Sequence, residues 1–226
     1  MSGVYARLVD HSYTHFAGGD IPRNEGSFVF NGELTRQLEG RDRRFTIWVK
    51  MMGQSIQEVC LAIRGTVPTY PRDLVMDAYV LKNKVQSLPE FIELVDVTKR
   101  LVGIYGRRVI LAGHSLGGSL AWEIMDVMYL DIKMAYLFST GTGFGKFIQQ
   151  MKMNIKCGRF NIARGNKTKR LCKKHNDIKK KTQLFTTKYD PISVLSRVMG
   201  AQVRGSKKLN QHSLSNFTGG NLLLRR

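Results

Sequence analysis

The residues best suited to chemistry lie in Gly113-His114-Ser115-Leu116-Gly117. This G-x-S-x-G stands between a short apolar run, Val109 to Ala112, and a stretch whose apolar residues recur at helical spacing: Leu120, Ala121, Ile124, Met125 and Met128. A serine in so tight a strand-to-helix turn takes a strained backbone, and side chains two residues to either side would collide. Glycine at 113 and 117 removes the collision. Ser115 Oγ is then expected at the end of a sheet, with the N–H groups of the next helix start pointing at it. The plainer alternative is a Gly-rich turn that packs closely and does no chemistry.

A serine hydroxyl is a poor nucleophile at neutral pH and needs a base, and a third group to orient that base. In enzymes built on such a turn the order along the chain is Ser, then acid, then His. Asp190 follows an expected strand, Thr182 to Thr187, and His212 comes later in a short polar segment. His175 competes as base but precedes Asp190, and His114 is excluded because neighbouring side chains in the turn diverge. An oxyanion needs two preorganised donors. One is the backbone N–H of Leu116 at the helix start. The other is expected from Thr66, after an earlier strand, through its N–H and its hydroxyl. The surface-histidine reading of His212 and the turn-forming reading of Asp190-Pro191 remain open beside these roles.

These groups require a sheet with its carboxyl ends at one edge. Phe45 to Met51 and Glu58 to Ile63 read as two strands joined at Gly53-Gln54-Ser55. Leu88-Pro89-Glu90 opens an amphipathic helix that Gly106 ends, and Met134 to Phe138 is another strand. Val4, Tyr5, Leu8, Val9, Tyr13 and Phe16 fit one face of a helix stopping at Gly18-Gly19. His11 and His15 fall in it as surface or packing residues. Asp20 to Asp42 reads as irregular. Strands alternating with helices predict an α/β fold with a mainly parallel sheet covered on both faces. Pro68 to Tyr79, with Tyr70, Leu74, Val75 and Met76, reads either as a lid or acyl-binding segment or as ordinary core.

The chain has 226 residues, enough for one domain with a sizeable core. Its 36 Lys and Arg against 17 Asp and Glu give a net charge of +19, which favours anionic partners. Between Lys146 and Lys181 lie thirteen Lys or Arg and one acid, Asp177. That segment reads as a solvated insertion, with one short helix near 147–155, or as an electrostatic docking surface for an anionic membrane. It lacks the interleaved aromatics of a single-strand nucleic-acid binder. Of three cysteines, Cys60 reads as core, and Cys157 and Cys172 are free to pair without implying a disulfide framework. Cys172 and His175 lack a second pair of ligands for zinc. No export signal or membrane span is read, so a cytoplasmic or peripheral-membrane location is expected.

Together these motifs resemble the class 3, fungal-type lipases of the α/β-hydrolase superfamily, over about Glu58 to Asn216 with the helix at 3–17 as an addition. Leu61-Ala62-Ile63-Arg64-Gly65-Thr66 is similar to that family's strand and R-G-[ST] oxyanion motif. Asp73-Leu74-Val75-Met76-Asp77 resembles its D-[LW]-x-x-D segment. Gly113 to Ala121 is similar to G-H-S-L-G-G-[AS]-L-A. Tyr189-Asp190-Pro191-Ile192-Ser193 resembles its acid-bearing D-P-V-P box, with Ser193 in place of the last proline. The resemblance implies one α/β-hydrolase domain over 1–226 with a basic insertion at about 146–181. It also implies hydrolysis of lipid esters by Ser115, Asp190 and His212 without metal or organic cofactor. The family's G-[ST]-P-x-V-G-[ND] loop has become Gly141-Thr142-Gly143-Phe144-Gly145-Lys146, so acyl preference does not carry over. Compact relatives of the family occur in large viruses, which makes a viral origin compatible with the sequence. A catalytically weak scaffold that binds anionic membrane or nucleic acid through the basic segment is the alternative. Oligomeric state is not legible.

Overall fold

The computed structural model describes residues 2–40, 43–140, 149, 151–154, 157, 166–186, 202–203 and 217. An eight-stranded sheet runs in chain order: β1 (Asn24–Glu25), β2 (Phe28–Phe30), β3 (Phe45–Met52), β4 (Ser55–Ile63), β5 (Val109–His114), β6 (Met134–Phe138), β7 (Thr182–Thr186) and β8 (Gln202–Val203). Strands β1 to β4 pair antiparallel, and β4 to β8 pair parallel. The chain is therefore mixed α/β, and the parallel part of the sheet begins at β4.

The sheet grows in one direction from β4, and right-handed crossovers then put the connecting helices on one face. Helices α3 (Pro71–Leu81), α4 (Pro89–Tyr105) and α5 (Leu116–Met128) lie there. Met76, Phe91, Leu94, Leu101, Leu120 and Ile124 pack on Ile47, Val59, Leu61 and Leu111. The other face needs a cover from outside the crossovers, and α1 (Ser2–Phe16) supplies it. Tyr5, Leu8 and Val9 pack on Trp48, Cys60, Ile110, Ala112 and Tyr136. This helix is thus the second layer of the fold rather than an addition to it. Buried on both faces, β5 reads as a continuous apolar run, and all six of its residues are buried.

Two regions depart from expectation. The stretch expected to be irregular holds β1, β2 and α2 (Gly32–Leu38). The strands are too short to show periodicity, and α2 is held at its start by Asn31, whose Oδ1 accepts the Leu34 N–H at 3.0 Å. The basic segment carries α6 (Asn166–Lys181), a 16-residue helix that its charge pattern hid, and residues 151–154 are helical too. Within the basic segment Cys157 and Cys172 of α6 form a disulfide, the pairing the sequence left open. Lys181 Nζ also donates to the carbonyls of Tyr129 and Ile132 at 2.7 and 2.9 Å, closing the C-terminal end of α5. Among the described residues no helix is long and apolar enough to cross a membrane.

Candidate active site

Parallel register sets the site's position. Ile63 of β4 lies opposite Gly113 of β5, so Gly65-Thr66 and Ser115 leave the sheet side by side. Ser115 has φ 51° and ψ −119°, a left-handed backbone that serine rarely adopts. Its N–H donates to Phe138 O at 3.0 Å, and its carbonyl accepts the Ser119 N–H at 3.1 Å, which starts α5. A Cβ at Gly113 would strike the backbone of Gly117, and one at Gly117 would strike the carbonyls of Ile63 and Arg64. The glycine requirement read from the sequence is therefore a requirement for close approach of α5 to both strands. Leu116, 2 % exposed, is the first residue of α5, where N–H groups have no intrahelical acceptor and the helix end is positive.

The loop after β4 is fixed by side chains on every side of Thr66. The Gly65 N–H donates to Tyr13 Oη at 2.8 Å, and the Val67 N–H donates to Asp73 Oδ2 at 2.8 Å. Arg64 Nη1 holds the Gly65 carbonyl at 2.9 Å. Between these used groups the Thr66 N–H has no backbone acceptor among the described residues. The Thr66 hydroxyl donates to Asp77 Oδ2 at 2.8 Å, so its single proton is already directed away from an incoming oxyanion. The sequence offered both groups as donors. The geometry engages the hydroxyl in holding the loop, so of the two expected donors only the N–H is without a backbone acceptor among the described residues.

Behind the loop sits a buried charge cluster. Asp73 is fully buried and accepts from Arg44 Nη2 at 2.8 Å through Oδ1 and from Arg64 Nη1 through Oδ2. Arg64 is also fully buried, and its guanidinium lies 3.9 Å from the centre of the Phe16 ring. Asp73 and Asp77 are four residues apart on α3, which puts both carboxylates on one face toward the loop. Sequence reading found this acidic pair only as a likeness to a motif. Arg44 was not singled out, and Tyr13 was read only as part of a helix face, since nothing local marks their roles here.

Tyr13 joins three elements. Its oxygen accepts from the Gly65 N–H at 2.8 Å and shares a hydrogen bond with His114 Nδ1 at 2.8 Å. Burial raises the Tyr13 phenol well above its ordinary value, so it stays neutral. His114 is thereby a strut between α1 and the serine turn, in keeping with its exclusion as base. Tyr13→Phe keeps the ring and strands two buried partners. It is expected to lower unfolding free energy by about 1–3 kcal/mol, read by urea denaturation. No change would mean that the two partners are satisfied without Tyr13.

Asp190 and His212 lie outside the described residues. Strand β7 does end, at Thr186, on the same sheet edge as Ser115: Phe185 lies opposite Phe138, as Phe138 lies opposite His114. The competing base, His175, sits on α6 and donates through Nε2 to Asn154 Oδ1 at 2.9 Å. Burial, and then Lys179, lower its pKa. His11 and His15 pair with Glu25 and Glu39. Among the described residues no three His, Cys, Asp or Glu side chains gather to hold a metal ion.

The arrangement defines a class in chemical terms: a mixed α/β protein with a strained serine at a strand-to-helix turn, beside a clamped loop whose Thr66 N–H has no backbone acceptor among the described residues. No known protein family matches the chain, and no curated protein matches it as a relative.

Proposed function

We infer that this chain is a serine ester hydrolase of the class 3 lipase type, on an α/β-hydrolase fold, cleaving lipid esters through an acyl-enzyme on Ser115. The observation that carries the reading is the left-handed Ser115 backbone against the pinned Gly65-Thr66-Val67 loop. In this reading Ser115 is the nucleophile and the N–H groups of Thr66 and Leu116 are its two oxyanion donors, and the pinned loop supports their being preorganised.

In this reading His212 takes the Ser115 proton as Oγ attacks the ester carbonyl, and Asp190 orients His212 and stabilises its imidazolium. The Thr66 and Leu116 N–H groups hold the oxyanion. His212 returns the proton to the leaving alcohol, and water then attacks the acyl-enzyme by the same relay. Everything required is protein, so no metal or cofactor enters the scheme.

Turnover of p-nitrophenyl butyrate tests the reading, and Thr66 sharpens it. Thr66→Ala keeps the N–H and loses only the tie to Asp77. A fall in kcat of about tenfold or less is expected, with little change in KM. A loss of ~10²–10³-fold would instead mean that the hydroxyl itself binds the oxyanion. No turnover of any short ester by the wild-type chain would overturn the proposed activity.

A further inference from the structure

We propose that the catalytic-edge half of α6 is a docking face for an anionic lipid surface, built from Lys169, Arg170 and Lys173; the choice of lipid rests on the ester hydrolase reading. Helix α6 carries Lys167, Lys169, Arg170, Lys173, Lys174, Lys179, Lys180 and Lys181 against Asp177. Apart from Lys167, whose side chain lies outside the described ones, these cations divide into two sets. Lys174 pairs with Asp126 of α5 at 3.0 Å, and Lys181 closes the end of α5. These two face the body together with buried Ile178, spaced i, i+4 and i+7 on one side of the helix. Lys169, Arg170, Lys173, Lys179 and Lys180 are exposed and have no acidic partner among the described residues.

The same contacts give the helix its direction. From Lys174 to Lys181 on α6, the partners advance from Asp126 to Ile132, so α6 runs alongside α5 in the same sense. Helix α5 begins just after Ser115, on the catalytic edge. The residues before Lys174 therefore lie toward that edge, and Lys179 and Lys180 lie toward the opposite one. A mobile basic tail would lose conformational entropy on docking. Here the helix is already held on the body by the Lys174 ion pair, the Lys181 cap and buried Ile178, so its charges are presented as a rigid patch.

Charge alone would serve nucleic acid equally well. Two features favour lipid. Helix α6 has no Phe, Tyr or Trp to stack on bases, and its His175 is tied to Asn154. The start of α3, which leaves the same sheet edge, exposes Leu74 and Val75 at 52 % and 55 %, apolar groups suited to the headgroup boundary. Each cation near an anionic leaflet adds roughly fivefold in affinity, fading beyond a Debye length of about 8 Å.

The experiment is flotation with vesicles of phosphatidylcholine, with and without 30 % phosphatidylserine, as a proportion of about one lipid in three. It compares K169Q/R170Q/K173Q with a charge-matched control, R107Q/K179Q/K180Q, whose changes sit at the opposite edge. Thermal melting checks that both fold. The catalytic-edge variant is expected to lose roughly 10²-fold in affinity for the anionic vesicles, and the control less than about tenfold. Turnover of a soluble short-chain ester should be unchanged in both. Equal losses in the two variants would overturn the proposal, since bulk charge and not a face would be acting. Retained binding in the first would overturn it as well. So would duplex DNA that binds more tightly than vesicles and is lost with the same three changes. The expected vesicle pattern in a protein that hydrolyses no ester would uphold the docking face and sink the hydrolase reading alone.

Discussion

Ser115→Ala is expected to reduce kcat for a short-chain ester by on the order of 10⁴-fold or more, with the fold and melting temperature nearly unchanged. The turn that holds residue 115 is set by neighbours and not by its hydroxyl. The N–H of residue 115 is tied to Phe138 O, and its carbonyl starts α5 through Ser119. Alanine keeps both bonds and bears the same left-handed backbone as serine. What is lost is the nucleophile. Groups acting as a unit give non-additive losses, so Ser115→Ala combined with His212→Ala should be no worse than the first alone. A change confined to KM would assign Ser115 to binding. Full activity in His212→Ala with loss in His175→Ala would assign the base to α6.

Asp73→Ala is expected to be the most destabilising single change, at about 3–5 kcal/mol, because it leaves two buried guanidinium groups without their shared carboxylate. Asp73 is fully buried, and Arg44 and Arg64 are 3 % and 0 % exposed, so water cannot easily replace it. The same change removes the acceptor of the Val67 N–H and so loosens the loop that presents Thr66. Asp73→Asn keeps the shape and one acceptor oxygen and should fall between wild type and alanine. Urea denaturation measures the loss. A cost below about 1 kcal/mol would show that the arginines find other partners, and the clamp would then not depend on Asp73.

What the sequence made legible follows the range of the interactions. The turn at Ser115 is local: an apolar run, a glycine on either side of the serine, and helical spacing after it, all within twenty residues. The structure places each of those elements where the spacing predicts. Helix α1 was legible as a helix from its apolar face, but not as the cover of a whole sheet face. That role depends on every described crossover helix falling on the other side. Tyr13 was visible only as one more apolar position, because its partners Gly65 and His114 lie 52 and 101 residues away. The Arg44–Asp73–Arg64 cluster likewise joins three elements that no local pattern links. Helix α6 failed for another reason. Its body-facing side carries one buried apolar residue, Ile178, between Lys174 and Lys181, so an ion pair and a lysine cap do much of the holding, and neither leaves a periodic signal. Asp190 and His212 rest on chain order and on their likeness to a family motif.

Labelling with a fluorophosphonate probe, followed by mass spectrometry of the peptides, tests most directly whether Ser115 is an activated nucleophile. One adduct is expected, on Ser115, absent from Ser115→Ala and strongly reduced in His212→Ala. A folded protein that takes no label, or that takes it on another serine at the same rate in Ser115→Ala, would contradict the assignment.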